Sequence, residues 1–138
     1  AAVISIKLRH LDQWTEARRE NARRYDAIFA GLGLAPGTVK TPAVVTDRHV
    51  FNQYVVRVPR RDKLRAYLTE KGIGNEVYYP LPLHLQECFA YLGHKRGDFP
   101  ASEQAAAETV ALPIYPELTK DQAEFVGHTV DEFYKRSE

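Results

Sequence analysis

The sequence predicts an α+β domain: a short, mainly antiparallel sheet flanked by helices and preceded by one long helix. Three observations carry this expectation. Apolar residues recur at helical spacing from Ile4 to Leu32, a β-branched and aromatic run occupies 49–58, and a capping-box sequence opens an amphipathic stretch at Thr119. The 138 residues fit one such domain, large enough to hold a core without a metal or disulfide.

Element by element, the first helix covers about 1–31, with Ile4, Leu8, Leu11, Trp14, Ala22, Tyr25, Phe29 and Leu32 forming one stripe. Lys7, Arg9, Asp12, Glu16, Arg19, Glu20, Arg23 and Asp26 fill the other faces, and Gly31 and Gly33 stop it. Residues 1–32 therefore read as a linking helix and 33–138 as a small domain. Pro36, Gly37, Pro42 and Asp47 make 33–48 a loop. The run 49–58 reads as a strand ended by Pro59. Asp62 is placed to cap a helix that buries Leu64, Tyr67 and Leu68 and stops at Gly72. Residues 75–79 read as a second strand, and 80–100 as irregular chain with a short helix near 86–92. Ser102 is placed to cap a helix reaching Thr109; 110–114 carries Pro113 and reads at best as an edge strand. The last helix follows Thr119 and Gln122, with Phe125, Val126, Val130, Phe133 and Tyr134 as its buried stripe.

Composition narrows the function. Nineteen basic residues against 18 acidic ones leave a net charge of +1, which argues against nucleic acid or an anionic membrane as the main partner. A single cysteine, Cys88, excludes an internal disulfide framework and fits a reducing, cytoplasmic setting. No apolar run approaches the ~20 residues of a membrane span. The chain has no methionine and opens Ala1-Ala2-Val3-Ile4 with no capping residue, so it reads as a piece of something longer.

The chemistry concentrates in 77–86, Val-Tyr-Tyr-Pro-Leu-Pro-Leu-His-Leu-Gln. Two phenols (Tyr78, Tyr79), an imidazole (His84) and an amide (Gln86) follow a strand on a proline-stiffened loop. Such a loop presents polar groups with little ordering cost, and histidine donates, accepts or shuttles protons near neutral pH. The plainer alternative is that the tyrosines pack and His84 bonds a nearby carbonyl; spacing leaves both open. His84 and Cys88 are four apart, but two ligands are too few for zinc, and Cys88 reads as a small core residue. Gly72-Ile73-Gly74 lacks the third glycine of a dinucleotide loop, and no nucleophile elbow occurs. The clusters Arg18, Arg19, Arg23, Arg24 and Arg60, Arg61, Arg65 read as solvated helix faces. All seven lysines (Lys7, Lys40, Lys63, Lys71, Lys95, Lys120, Lys135) sit in polar stretches, unlike a desolvated Schiff-base lysine. These residues alone make no complete catalytic centre.

The order of motifs is specific: Ala2, Leu8, Leu11 and Trp14, then Arg18 and Tyr25; HVFNQYVVR at 49–57; GIGNEVYYPLPLHLQ at 72–86; ALPIYPELT at 111–119. Over essentially its whole length the chain resembles the C-terminal part of the DegT/DnrJ/StrS-type sugar-nucleotide aminotransferases, which use pyridoxal phosphate. The resemblance implies the small C-terminal domain of a fold-type-I aminotransferase. It implies a homodimer that moves an amino group from glutamate to a nucleotide-linked keto-sugar, with the YYPLPLHLQ form leaning to C3 of a 6-deoxyhexose. The cofactor-binding domain and its Schiff-base lysine would precede Ala1, so no catalytic residue is carried over. On the matching loop His84 and Tyr79 are the expected substrate contacts, with Tyr78 and Gln86 weaker candidates. A dehydratase of the same fold, or a non-catalytic binding or assembly module, are the rival readings.

Overall fold

The computed structural model describes residues 2–136. Helices α1 (Ala2–Leu8) and α2 (Leu11–Gly31) lead to strand β1 (Tyr54–Arg57) and helix α3 (Arg61–Glu70). Two 3-10 turns, Leu83–Leu85 and Glu87–Leu92, precede α4 (Pro100–Glu108), strand β2 (Thr109–Leu112) and α5 (Lys120–Lys135). β1 and β2 pair antiparallel, with Tyr54 opposite Leu112 and Arg57 opposite Thr109. Single bridges extend this ribbon on both sides, Lys40 to Arg57 and Glu76 to Ala111. Among the described residues no helix is long and apolar enough to cross a membrane.

The core lies between the ribbon and the helices. Tyr25 and Phe29 of α2, Tyr54 and Val56 of β1, Leu64 and Leu68 of α3, Val110 of β2 and Val130 of α5 are all sealed from solvent. Alternation along β1 sends Tyr54 and Val56 inward. Burial pushes the Tyr54 phenol far up, and its hydroxyl donates to Asp26 at 2.6 Å. α2 and α5 meet at Gly127, where an added Cβ would lie 2.3 Å from Ile28 Cγ2. The box at Thr119 forms as expected: Thr119 Oγ1 accepts from the Gln122 N–H, and Gln122 Oε1 accepts from the Thr119 N–H.

Several expectations are corrected. The long helix is two, broken at Arg9 and His10, where i→i+3 bonds (Arg9 N–H to Ile6 O, 3.2 Å; His10 N–H to Lys7 O, 3.0 Å) close α1. Periodicity reports a face, not continuity. α1 buries nothing that would hold it in line with α2, whose inner face is clamped in the core. Ala1, the expected first residue of that helix, lies outside the described residues. The strand expected from residue 49 begins only at Tyr54, because Phe51 takes a positive φ of 42° and its N–H goes to His49 Nδ1. Asp62 does not cap α3; Arg60 holds the N-cap position, at φ 54° and with no side-chain cap bond, and Asp62 accepts from Arg61 Nε in the first turn. Residues 75–79 form no strand. Asn75 is tied back to Arg65 and Thr69 of α3, so only Glu76 reaches Ala111. The 110–114 segment is correspondingly more than an edge, since β2 has a neighbour on each side, though it ends before Pro113. Ser102 does not cap α4, which starts earlier with Pro100 at its first turn and Phe99 as N-cap. Phe125 is 54% exposed rather than buried.

Candidate functional site

Segment 77–86 is held at both ends. Its start is fixed by the paired Glu76 and Ala111 bonds, at 2.8 and 3.3 Å, and by buried Val77. Its end is the 3-10 turn Leu83–Leu85, closed by Leu85 N–H to Pro82 O at 3.0 Å. Between them Tyr79 adopts φ 62° directly before Pro80. A residue before proline ordinarily takes extended backbone, and a positive φ is costly for any side chain with a Cβ. This strained corner turns Tyr78 and Tyr79 outward, at 44% and 69% exposure.

His84 turns the other way. Its side chain is 7% exposed, with Nε2 3.0 Å from Glu103 Oε1 on α4. The partner is thus a carboxylate, not the carbonyl of the plainer alternative. The same Glu103 oxygen accepts the Gly97 N–H at 2.7 Å, and Arg96 stands 4.0 Å from the other oxygen. The Gly97 bond, followed by that from His84, holds the Glu103 carboxyl below its ordinary value. Phe99 tilts against the His84 ring at 4.8 Å and meets His94 edge-on at 4.9 Å.

Three of the four candidates line two adjoining recesses. Tyr78 and Tyr79 border a recess of about 300 Å³ with Pro82, Leu83 and the α4 residues Ser102, Ala105 and Ala106. His84 lines the adjoining one, about 390 Å³, with Phe89, Leu92, His94 and Phe99. Leu83 and Ser102 belong to both. Tyr78 also edges a groove of about 330 Å³ that includes Asn52, Gln53, Asn75, Glu76 and Tyr115. Gln86 braces the loop itself, donating to Leu81 O at 3.3 Å. Cys88 is exposed, with Sγ 3.8 Å from Gln86 Oε1, and is not the core residue expected. It stands outside the core because 87–92 is a surface 3-10 turn with no buried residue.

Sequence reasoning missed Glu103, Gly97 and Phe99. The only available signal was an acid in the first turn of a helix led by Pro100. A pairing across 19 residues leaves no local trace. The neighbouring ALPIYPELT segment is fastened to α2 by Tyr25 Oη to Pro113 O at 2.9 Å and Asn21 Nδ2 to Tyr115 O at 2.8 Å. No lysine among the described residues is buried. Around the loop, the described residues present phenols, an imidazole and apolar side chains.

The model of the DegT/DnrJ/EryC1/StrS aminotransferase family matches residues 1–131. The chain is 50% identical over 137 residues to a protein of Geobacillus stearothermophilus named pleiotropic regulatory protein, covering 98% of this chain and 36% of that one. It is 37% identical over 137 residues to the dTDP-3-amino-3,4,6-trideoxy-alpha-D-glucose transaminase of Streptomyces venezuelae, covering 99% of this chain and 35% of that one. The crystal structure of DesV from S. venezuelae, in complex with a ketimine intermediate, superposes with a TM-score of 0.88 at 35% identity, covering 98% of this chain and 36% of that one. The chain spans about a third of the length of the relatives it matches.

Proposed function

Because the chain belongs to the DegT/DnrJ/EryC1/StrS aminotransferase family, we propose that it is the C-terminal portion of a pyridoxal-phosphate-dependent aminotransferase acting on a nucleotide-linked keto-sugar. The observation that carries this reading is the strained 77–86 loop, which sets two outward phenols beside a recessed imidazole. The amino donor is glutamate, and the acceptor is a 6-deoxyhexose with its carbonyl at C3. The transaminase of S. venezuelae, whose name places an amino group at C3 of a dTDP-sugar, supports that position.

Pyridoxal phosphate, when bound, supplies the electron sink for moving the amino group. In this reading the cofactor and its covalent lysine belong to a part of the whole protein outside this chain, which spans about a third of the length of the relatives it matches. This chain's part is recognition. Tyr79 and Tyr78 each offer a hydroxyl that donates and accepts, suited to sugar hydroxyls. His84 offers a ring nitrogen on a side chain only 7% exposed, where a hydrogen bond is stronger than at an open surface. Gln86 keeps the loop in shape. The loop serves a homodimeric cytoplasmic enzyme, with the active site completed by the cofactor domain.

The test is the full-length protein with glutamate and a dTDP-linked 3-keto-6-deoxyhexose. The expected result is a pyridoxal absorbance band, stoichiometric 2-oxoglutarate and a 3-amino sugar nucleotide. A sugar that loses oxygen without gaining nitrogen would replace this reading with the dehydratase. A full-length protein that binds no cofactor would replace it with a binding module.

A further inference from the structure

We propose that Glu103 is the positioning residue for His84, fixing which ring nitrogen faces the substrate. The inference rests on the reading of His84 as a substrate contact. Four observations converge on it. Glu103 Oε1 lies 3.0 Å from His84 Nε2, and both side chains are largely buried, at 14% and 7% exposure. The same oxygen takes the Gly97 N–H at 2.7 Å, so the carboxylate is itself locked to the loop between the 3-10 turns and α4. Phe99, the residue before α4, leans on the imidazole at 4.8 Å and limits its rotation. Glu103 sits in the first turn of α4, where the helix dipole favours a negative charge.

The chemical consequence follows from the inventory of donors. An ionised carboxylate only accepts. With Oε1 facing Nε2, the neutral imidazole must carry its hydrogen on Nε2, which makes Nδ1 the acceptor. His84 then selects a substrate hydroxyl or N–H donor at that point. Other charged groups stand near the ring. Arg96 Nη1 is 4.0 Å from Glu103 Oε2, and His94 shares Phe99 with His84 while its Nδ1 lies 3.6 Å from Asp98. None of these contacts reaches His84 itself, so among the charged groups Glu103 orients the ring, with Phe99 packed against it. Gln86, the polar candidate nearest in sequence, cannot substitute, since its amide is turned to Leu81 O.

The experiment uses the full-length enzyme and separates its two half-reactions. Glu103→Ala is expected to raise the KM for the keto-sugar nucleotide about tenfold, leaving the glutamate half-reaction and cofactor absorbance unchanged. Glu103→Gln keeps an oxygen acceptor for both N–H groups and is expected to recover to within about threefold of the unaltered enzyme. In a His84→Asn background, Glu103→Ala is expected to add nothing, because residues that act as a unit are not additive. A purely structural Glu103 would impair both half-reactions, and would cost as much without His84 as with it. Either result overturns the proposal. If His84→Asn alone leaves sugar-nucleotide turnover intact, the reading of His84 itself fails, and the inference with it. If His84→Asn impairs turnover but Glu103→Ala does not, only the inference fails.

Discussion

At the scale of single residues, the molecule keeps strain and buried charge close to its candidate site. Tyr79 holds a positive φ before a proline although it is the most exposed aromatic of the 77–86 loop. Tyr79→Val, which stiffens the backbone further, should cost about 1–2 kcal/mol in chemical denaturation, whereas Tyr79→Gly should stay within about 1 kcal/mol of the unaltered chain. Equal losses in the two variants would mean that the loop does not hold this corner. Arg61 is buried and donates to Thr109 O at 2.7 Å and Ala106 O at 2.9 Å, closing the C-terminal end of α4. Arg61→Ala should cost about 2–3 kcal/mol by stranding those carbonyls, and Arg61→Lys should restore little, because a point charge cannot span both. Glu103 gives a pH signature. Its folded value is lowered by the Gly97 N–H and then by His84, so its contribution is complete above the unfolded value near 4.5 and is lost as pH falls through the lower folded value. Amide exchange at Gly97 should accelerate as pH drops across that window relative to the intrinsic rate, and Glu103→Gln should abolish the extra dependence. The sequence displayed His84 and the tyrosines as reactive types on a stiff loop. It could not display Glu103, because the contact is made across the turn of an irregular segment.

At the scale of elements, caps and close approaches decide where helices begin and how tightly they meet. α5 begins at a reciprocal capping box that was fully legible, since its four residues are contiguous. α3 and α4 begin at Arg60 and Phe99, which bear no capping side chain and so gave no signal. The α2–α5 crossing is set by Gly127, whose missing Cβ admits the β-branched Ile28. Gly127→Ala should destabilise by about 1–3 kcal/mol, because Ile28 is stiff at χ1 and cannot swing its Cγ2 away. Combining it with Ile28→Leu, which removes the branch at Cβ, should return part of that loss. Strict additivity in denaturant titrations of the two variants would rule out this contact as the cause.

At the scale of the whole molecule, two apolar surfaces remain open. Val3, Ile4, Ile6 and Leu8 of α1 are 59–66% exposed, and the loop side adds Tyr79, Leu83, Tyr91 and Leu92. Tyr25, on the same stripe, is wholly sealed, so the exposed part of that stripe is confined to α1 and the start of α2. Prepared alone, the 138-residue chain should associate with rising concentration in size-exclusion chromatography with light scattering. Ile4→Glu with Leu8→Glu should suppress that association without lowering the melting temperature, because α1 contributes no buried residue. A monomer at every concentration would show these faces to be inert. The α+β class, the amphipathic faces, the last helix and the loop bearing Tyr78, Tyr79, His84 and Gln86 were set by the sequence itself, because periodicity, capping and proline stiffness act between residues a few places apart. Which strands pair, where α1 breaks from α2, which phenols face outward and which carboxylate holds the imidazole were decided only in three dimensions. The strand pairing and the carboxylate–imidazole contact join distant segments, while the helix break and the outward phenols follow from backbone turns at Arg9–His10 and Tyr79 that periodicity does not record.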